Sequence, residues 1–166
     1  MREKGDMDDE PTENLPAVSH PLASHIGFLL RRVQLAVFSD FQTRTATFEI
    51  TPSEYAILQV LHASPRMQQN RLAEIIGVKP ANCVVLINGL EKRHLLIRRA
   101  YSKKLPQGRA LALSLTMEGK EFLKKMNVRV LEHQKFLVDL LGVRAHEELR
   151  DHLTSLLDQA DRGLLG

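Results

Sequence analysis

The residues best equipped for chemistry in this sequence are a run of cations between positions 92 and 109. No acidic residue lies among its seven members, which are Lys92, Arg93, Arg98, Arg99, Lys103, Lys104 and Arg109. Ammonium and guanidinium groups without a nearby counterion need an external anion or full solvation. A solvated basic loop is one interpretation. The position of the run, directly after two short predicted helices, favours a polyanion such as nucleic acid.

The two predicted helices before the run are separated by Gly77. The first covers about residues 69–76 and the second about residues 80–93, and Pro80 suits a first helical position. Glycine is the residue expected in the left-handed conformation that ends a helix. Two helices joined in this way and followed by a basic hairpin form a winged helix-turn-helix, which places its second helix in the major groove of DNA.

The second predicted helix has a core face and an outer face. Its core positions recur at helical spacing and are Cys83, Leu86, Ile87 and Leu90. Asn82, Val84 and Val85 are left on the outer face, close to the start of the helix. The amide of Asn82 suits an adenine edge or a phosphate, and the valines suit thymine methyl groups. Packing of one valine against a neighbouring helix is an equal alternative.

Phosphate contacts are expected from cations around this helix and along the hairpin. The candidates are Lys79, Arg98, Arg99, Lys103 and Lys104, with Pro80 beside them at the helix start. Such contacts fix the register of a protein on DNA and make its affinity depend on salt. The hairpin is predicted from the strands IRRAY and ALALSL, in which Leu111, Leu113 and Leu115 alternate.

A second candidate site lies on the first predicted helix, which we expect to run from about Pro21 to Thr43. Arg31 and Arg32 interrupt a segment that is apolar on two faces, and a buried guanidinium needs an anionic partner. Helical spacing of seven pairs Ser24 with Arg31 and His25 with Arg32. These four residues, with Phe28 and Phe38, could hold an anionic ligand. The alternative is a structural salt bridge to an acid such as Asp40, Glu49 or Asp139.

The remaining elements position these two sites. We predict a mainly α-helical fold with a small two-stranded β-wing. Residues 1–19 form an acidic, disordered tail and residues 20–50 a dimerisation helix with its connector TRTATFEI. Residues 51–116 form the winged lobe, which starts with a capping box at Thr51 and Glu54. Residues 117–166 form two further helices, the first capped by Thr116. The terminal helices carry more apolar surface than one chain can cover, which indicates a homodimer.

Composition excludes several classes of protein. No stretch of eighteen apolar residues and no signal segment occurs, so we expect a soluble, cytoplasmic protein without membrane contact. Cys83 is the only cysteine, which rules out an internal disulfide and fits a reducing compartment. No spacing of histidine, cysteine or acidic residues suggests a metal site. No nucleophile or phosphate-loop motif suggests an enzyme or a cofactor.

Three segments carry a resemblance to the MarR family of bacterial transcription regulators. They are ITPSEYAILQVL, RLAEIIGVKPANCVVLINGLEKRHLLIRR and GRALALSLTMEGKEFL, and the resemblance covers about residues 20–160. It implies a dimeric winged helix that binds a pseudo-palindromic, double-stranded DNA operator, usually as a repressor released by a small ligand. The segment HIGFLLRRVQLAVFSDF is similar to a subgroup that senses aromatic acids, hydroxycinnamates or their coenzyme A thioesters.

The wing departs from the family's pattern. The family usually has Asp-Arg-Arg before the second strand, where the Asp orients an Arg that enters the minor groove. This chain has Gln107, Gly108 and Arg109. The resemblance assigns the minor groove to Arg109, but the carboxylate partner is missing. A winged-helix module that binds an acidic protein is therefore kept as an alternative, as is a redox-responsive regulator acting through Cys83.

Overall fold

The computed structural model of this chain describes residues 21–100 and 111–164. Within those residues, six α-helices and two paired β-strands follow one another in the order α1 to α4, β1, β2, α5 and α6. The mainly helical fold with a small sheet confirms the predicted fold class. The chain divides into two compact units, residues 1–38 and 39–166, and the boundary falls inside α1.

The first unit contains a short 3-10 turn, Pro21–Ser24, and most of helix α1, Ile26–Arg44. The predicted helical start at Pro21 is confirmed only as a 3-10 turn, because the α-helix begins after His25, whose carbonyl accepts a hydrogen bond from Leu29 N. A 3-10 turn has about three residues per turn. Ser24 and Arg31 thus lie in two different helical segments, so the spacing of seven in a continuous α-helix does not apply to this pair.

Local sequence chemistry sets the next two helices, as predicted. Helix α2, Pro52–Ala63, starts with a capping box in which Thr51 and Glu54 exchange hydrogen bonds, and Pro52 occupies its first turn. Helix α3, Gln69–Ile76, ends at Gly77 in the left-handed conformation. It buries Leu72 and Ala73. Ile75 of the same helix is exposed.

Helix α4, Pro80–Lys92, leads directly into the sheet. Strand β1, Leu96–Ala100, pairs antiparallel with β2, Leu111–Leu115. Met67 adds an isolated bridge to Leu113 on the other side of β2. The predicted alternation of leucines fails at one end, since Leu111 is exposed while both Ala112 and Leu113 are buried. The extra bridge covers the middle of β2 but not its first residue.

Helix α5, Met117–Leu141, starts with a hydrogen bond from Gly119 N to Thr116 Oγ1 and ends at Gly142. A side chain at Gly119 would collide with the carbonyl of Leu95, so this glycine allows α5 to approach the start of β1 closely. Helix α5 buries Met126, Val130 and His133, whereas Leu140 near its end is exposed. Helix α6, Val143–Asp161, follows. All of its residues belong to the described part of the chain, and none of them is buried.

The core of the second unit lies where α2, α3, α4, the sheet and α5 meet. Its fully buried large side chains include Ile57, Leu58, Leu61, Leu72, Ile87, Leu90, Leu113, Leu123 and Met126. No single helix in the described residues has both the length and the apolar content to cross a bilayer. Helices α3 and α4 reach that threshold only as a pair, and they are bent by 106°.

Candidate nucleic-acid interface and effector region

The angle between α3 and α4 is 106°, and the turn between them runs from Gly77 to Lys79. Gly77 has a φ of 69°, a conformation that costs glycine little. A crossing of about 90–120° over a three- or four-residue turn defines a helix-turn-helix. The predicted motif is therefore present, with α4 as the helix in the recognition position.

The start of α4 is open to solvent, as a DNA-reading surface requires. Lys79 and Pro80, at the helix boundary, and Asn82 in the first turn are all exposed. Val85 has 69% of its surface exposed, whereas Val84 is half-buried. Of the two valines, Val85 is therefore the one available to a thymine methyl group, and Val84 packs partly against the protein.

Arg98 has a partner within the chain, which the sequence did not suggest. Its guanidinium forms an ion pair with Glu91 and donates from Nη2 to Asn88 Oδ1 at 2.6 Å. Arg99, the next residue of β1, is exposed, and its guanidinium has no hydrogen bond or ion pair to another described residue. The predicted phosphate contact of Arg98 would therefore have to compete with these intrachain partners, whereas that of Arg99 would not.

Arg93 also has partners within the folded chain. Its guanidinium donates to the carbonyl oxygens of Phe48 and Glu49, both at 2.8 Å, and lies 5.3 Å from the ring centre of Phe122. The sequence run from 92 to 109 contains no acid, but these partners come from segments that are distant in sequence. Arg93 therefore fastens the end of α4 to the segment between α1 and α2 and to α5.

Sequence reasoning missed one exposed cation near the sheet. Arg66 has a φ of 66°, and its backbone N–H donates to Leu113 O, beside the bridge formed by Met67. The only sequence signal in this segment is Ser64-Pro65, a pair that ends the preceding helix. The other predicted hairpin contacts, at Lys103, Lys104, Gln107, Gly108 and Arg109, lie outside the described residues.

Comparison with known proteins identifies the family of this fold. Residues 50–102 match the MarR family. Over 115 residues the chain is 31% identical to the protein assigned as the transcriptional regulatory protein for the hcr operon of Thauera aromatica, covering 69% of this chain and 68% of that protein. The chain belongs to the MarR family. Members of this family are DNA-binding transcription regulators and not enzymes.

Solved structures of MarR-family proteins have the same fold. The transcriptional repressor CouR bound to a 23-mer DNA duplex is 30% identical, with a TM-score of 0.72 over 89% of this chain and 99% of that chain. CouR bound to p-coumaroyl-CoA is 31% identical, with a TM-score of 0.70 over 85% and 94%. PcaV from Streptomyces coelicolor with its natural ligand is 27% identical, with a TM-score of 0.71 over 86% and 98%.

The predicted effector residues of this MarR-family chain all lie in the first unit. Arg31 and Arg32 are exposed, and neither pairs with a carboxylate among the described residues. Arg31 Nη1 lies 3.5 Å from Gln34 Oε1. His25 is exposed at the start of α1, Phe28 is half-buried, and Phe38 is partly exposed.

Two of the three acids suggested as salt-bridge partners, Asp40 and Asp139, have other partners in the structure. Asp139 pairs with Lys135. Asp40 Oδ2 accepts a hydrogen bond from Arg44 Nε at 2.6 Å and lies 2.7 Å from Nδ1 of His133, which is almost fully buried. The hydrogen bond from Arg44, followed by the contact with His133, holds the pKa of Asp40 below its ordinary value despite some desolvation.

A groove of about 450 Å³ lies between α2 and α5 and contains none of the predicted effector residues. It is lined by His62, Lys120, Glu121, Leu123, Lys124, Asn127, Val128 and Leu131. Tyr55 Oη and Gln59 Nε2 donate to Asn127 Oδ1 at 3.0 and 2.8 Å, which fixes the orientation of that amide. The lining combines two lysines and one glutamate with the apolar Leu123, Val128 and Leu131, a mixture that suits a ligand with a polar, anionic group and an apolar body.

Neither a reactive thiol nor a metal-binding cluster is found among the described residues. Cys83 is fully buried on the core face of α4, and burial raises the pKa of its thiol. A raised pKa lowers the fraction of reactive thiolate, which counts against a redox role. In the described parts of the chain, no group of three His, Cys, Asp or Glu side chains is arranged to hold a metal ion.

Proposed function

We propose that this protein is a ligand-responsive repressor that binds a pseudo-palindromic DNA operator as a homodimer. The observation that carries the proposal is the helix-turn-helix of α3 and α4, whose exposed start presents Lys79, Asn82 and Val85. Support comes from CouR, a repressor of the same family and fold that has been solved on a DNA duplex. A regulator of this kind works where the DNA is, so the proposal includes a cytoplasmic location.

In the proposed complex, the start of α4 enters the major groove. Asn82 reads a base edge or a phosphate, Val85 contacts a thymine methyl group, and Val84 supports the helix from its inner side. The phosphates are neutralised by Lys79, Arg99, Lys103 and Lys104, and Arg109 enters the minor groove.

Arg109→Ala should lower operator affinity without changing the thermal stability of the protein. Unchanged affinity would remove the wing from the proposed interface.

The proposed dimer would use residues 20–50 and 117–166, leaving residues 51–116 as the DNA-binding lobe. Both sets carry large apolar side chains that are exposed in the single chain. They include Ile26, Leu29 and Val33 in the first unit and Leu140, Val143, Leu149, Leu156 and Leu157 in the second. Two-fold symmetry would place two copies of α4 about 34 Å apart, which matches successive major grooves.

The proposed effector is an aromatic carboxylate or its coenzyme A thioester. CouR has been solved with p-coumaroyl-CoA. Two places in this chain suit the anionic part of such a molecule, namely Arg31 with Arg32 on α1 and the lysine-lined groove between α2 and α5. Binding can release DNA only if the ligand prefers the state of the dimer that cannot bind the operator.

The test of this function starts with selection of duplexes from a random pool by the purified protein. Fluorescence anisotropy then follows the best duplex as p-coumaroyl-CoA, p-coumarate or free coenzyme A is added. We expect selection of an inverted repeat and its release by the thioester or the acid, but not by coenzyme A alone. Failure to enrich any duplex would refute the DNA-binding function, and DNA that stays bound with all three compounds would refute this effector class.

Arg32→Gln and Lys124→Gln distinguish the two ligand sites. Each variant removes one exposed cation, the first from α1 and the second from the groove. The variant at the true site should raise the effector concentration needed for release about tenfold, because one charge-assisted contact is lost. Lys135→Gln is the matched control, since Lys135 lies on α5, pairs with Asp139 and is not part of the groove.

A further inference from the structure

The two adjacent arginines of β1 have opposite surroundings. Side chains alternate between the faces of a strand, so Arg98 shares a face with Leu96 and Arg99 shares a face with Ile97. Leu96 is buried and Ile97 is exposed. Arg98 therefore points towards the body of the lobe, and Arg99 points towards solvent.

The inward-pointing Arg98 is held at two points by α4. One guanidinium nitrogen pairs with the carboxylate of Glu91, and the other donates to Asn88 Oδ1. Asn88 and Glu91 are three residues apart, so they are neighbours on one face of the helix. A planar guanidinium can bind both acceptors at once, whereas the ammonium group of a lysine acts as a single point charge.

This ion pair differs from most others in the described residues because it joins two elements. The pairs Arg71–Glu74 and Arg129–Glu132 each lie within one helix, and more than half of each side chain is exposed. The side chains of Arg98 and Glu91 are only 24% and 35% exposed. Partial removal from water strengthens such an interaction relative to a fully solvated pair.

A guanidinium already neutralised by a carboxylate makes a poor phosphate contact. DNA affinity gains from a cation because the cation replaces condensed counterions on the backbone. Arg98 would have to give up Glu91 and Asn88 to do so, which would leave a half-buried carboxylate without its partner. Arg99 has no such cost.

We propose that Arg98 is a positioning residue for DNA recognition. Its contacts with Glu91 and Asn88 hold strand β1 against the second half of α4. The base-reading surface of α4 and the hairpin formed by β1 and β2 then meet the DNA at a fixed spacing. This inference rests on the DNA-binding part of the proposed function. It predicts that Arg98 and Glu91 contribute to discrimination between DNA sequences and not to the number of phosphates neutralised.

The test compares affinity for two duplexes, the best one selected by the wild-type protein and a scrambled duplex of the same length, over a series of salt concentrations. The variants are Arg98→Met, Glu91→Ala and the double variant. If Arg98 positions the hairpin, each single variant lowers the ratio of selected-duplex affinity to scrambled-duplex affinity at least about fivefold. The double variant then lowers this ratio no further than either single variant does. The slope of log affinity against log salt stays unchanged for Arg98→Met.

A phosphate contact gives the opposite pattern, which would overturn the proposal. Arg98→Met would then weaken both duplexes equally and reduce the salt slope by about 0.9. Glu91→Ala would strengthen both duplexes by freeing the Arg98 charge and would leave their ratio unchanged. Arg99→Met is the matched control on the same strand, and it should show this phosphate pattern whichever role Arg98 has.

A charge exchange guards against a simple folding defect. The variant carrying both Arg98→Glu and Glu91→Arg keeps the net charge and can restore the ion pair in reverse, so it should recover much of the sequence discrimination lost by Arg98→Glu alone. Failure to recover any discrimination, with circular dichroism and a melting temperature like those of the wild type, would refute the positioning role. If the wild-type protein selects no duplex, the proposed function itself fails.

Discussion

At the residue scale, the neighbours of each arginine decide whether its charge is available to DNA. The guanidinium groups of Arg93 and Arg98 are both bound to groups of the chain itself. Arg99 and Lys79 are exposed. The end of α4 is thus fastened to the protein, while its start is left open for a partner.

Replacing Arg93 by methionine should destabilise the fold. Two charge-assisted hydrogen bonds to the carbonyls of Phe48 and Glu49 are lost, while the alkyl part of the side chain is preserved. The expected loss in the free energy of unfolding is about 1–3 kcal/mol, measured by urea denaturation. Lys92→Met is the control, because Lys92 is an exposed neighbour. Equal stability of the two variants would show that these contacts contribute nothing.

Asp40 should make stability depend on pH. Its pKa is lowered in the folded protein, first by the hydrogen bond from Arg44. A lowered pKa means that the carboxylate stabilises the fold above its ordinary pKa of about 3.9, and this contribution is lost as the pH falls through the folded-state value. The difference in unfolding free energy between wild type and Asp40→Asn should therefore be largest near neutral pH and shrink below about pH 4.

The control for this pH effect is Asp139→Asn. Asp139 and its partner Lys135 are both mostly exposed, so that substitution should change stability by less than about 0.5 kcal/mol at any pH. Urea unfolding of all three proteins at neutral and acidic pH provides the measurement. A difference between wild type and Asp40→Asn that stays constant with pH would contradict the assigned role of Asp40.

At the element scale, single residues at helix ends set the geometry of the helix-turn-helix. Gly77 ends α3 and His94 follows α4, and both have positive φ, of 69° and 57°. The chain changes direction at these two residues, one shortly before α4 and the other directly after it. Together they set the direction of α4 relative to α3 and β1. A side chain is tolerated at His94 but strained, because residues with a Cβ pay about 1–2 kcal/mol in this conformation.

Substitutions at these two positions should therefore change stability in opposite directions. His94→Gly should raise the free energy of unfolding by about 0.5–1 kcal/mol, since it relieves the left-handed strain. Gly77→Ala should lower the free energy of unfolding by about 1 kcal/mol, although nothing lies within 4 Å of the added methyl group. Thermal or urea unfolding measures both. A stabilising Gly77→Ala, or a destabilising His94→Gly, would contradict the backbone argument.

The same residues show why much of this fold could be predicted from the sequence. Helix ends depend on chemistry within three or four residues, so Thr51, Gly77 and Thr116 identify boundaries that the structure confirms. The periodicity of α4 likewise identified Cys83 and Leu90 as core residues. The 3-10 turn before α1 escaped this reasoning, because a proline suits both kinds of helix start.

The candidate site was less predictable, because its partners are distant in sequence. Counting charges along the chain gave Arg93 no counterion, yet its acceptors lie more than forty residues away. Glu91 stands just before the cationic run and pairs with Arg98 only because β1 turns back beside α4. The bridge at Met67 likewise depends on how the folded lobe brings that segment to β2.

At the scale of the whole molecule, apolar surface without a cover is the main feature of the terminal helices. Helix α6 buries none of its residues, although Leu149, Leu156 and Leu157 lie along one side of it. A monomer rarely leaves so many large apolar side chains in water. The proposed two-fold partner would cover them and would bring the second DNA-binding lobe into place.

Leu157→Glu should therefore convert the proposed dimer into a monomer. Leu157 is 66% exposed in the single chain, so the substitution leaves the core intact but places a charge where the partner would pack. Ser155→Glu is the control, because it adds the same charge about 200° around the helix. Analytical ultracentrifugation at micromolar concentration reports the mass. A dimer that persists with Leu157→Glu would move the interface away from this part of α6.

The most direct test of the account is the composition of the complex with DNA. Native mass spectrometry of the protein with its best selected duplex should show two chains per duplex. Cutting the duplex to one half of the inverted repeat should lower affinity about a hundredfold, because the second lobe then has nothing to bind. One chain per duplex, with the half-site bound as tightly as the whole, would contradict recognition by a two-fold pair of winged helices.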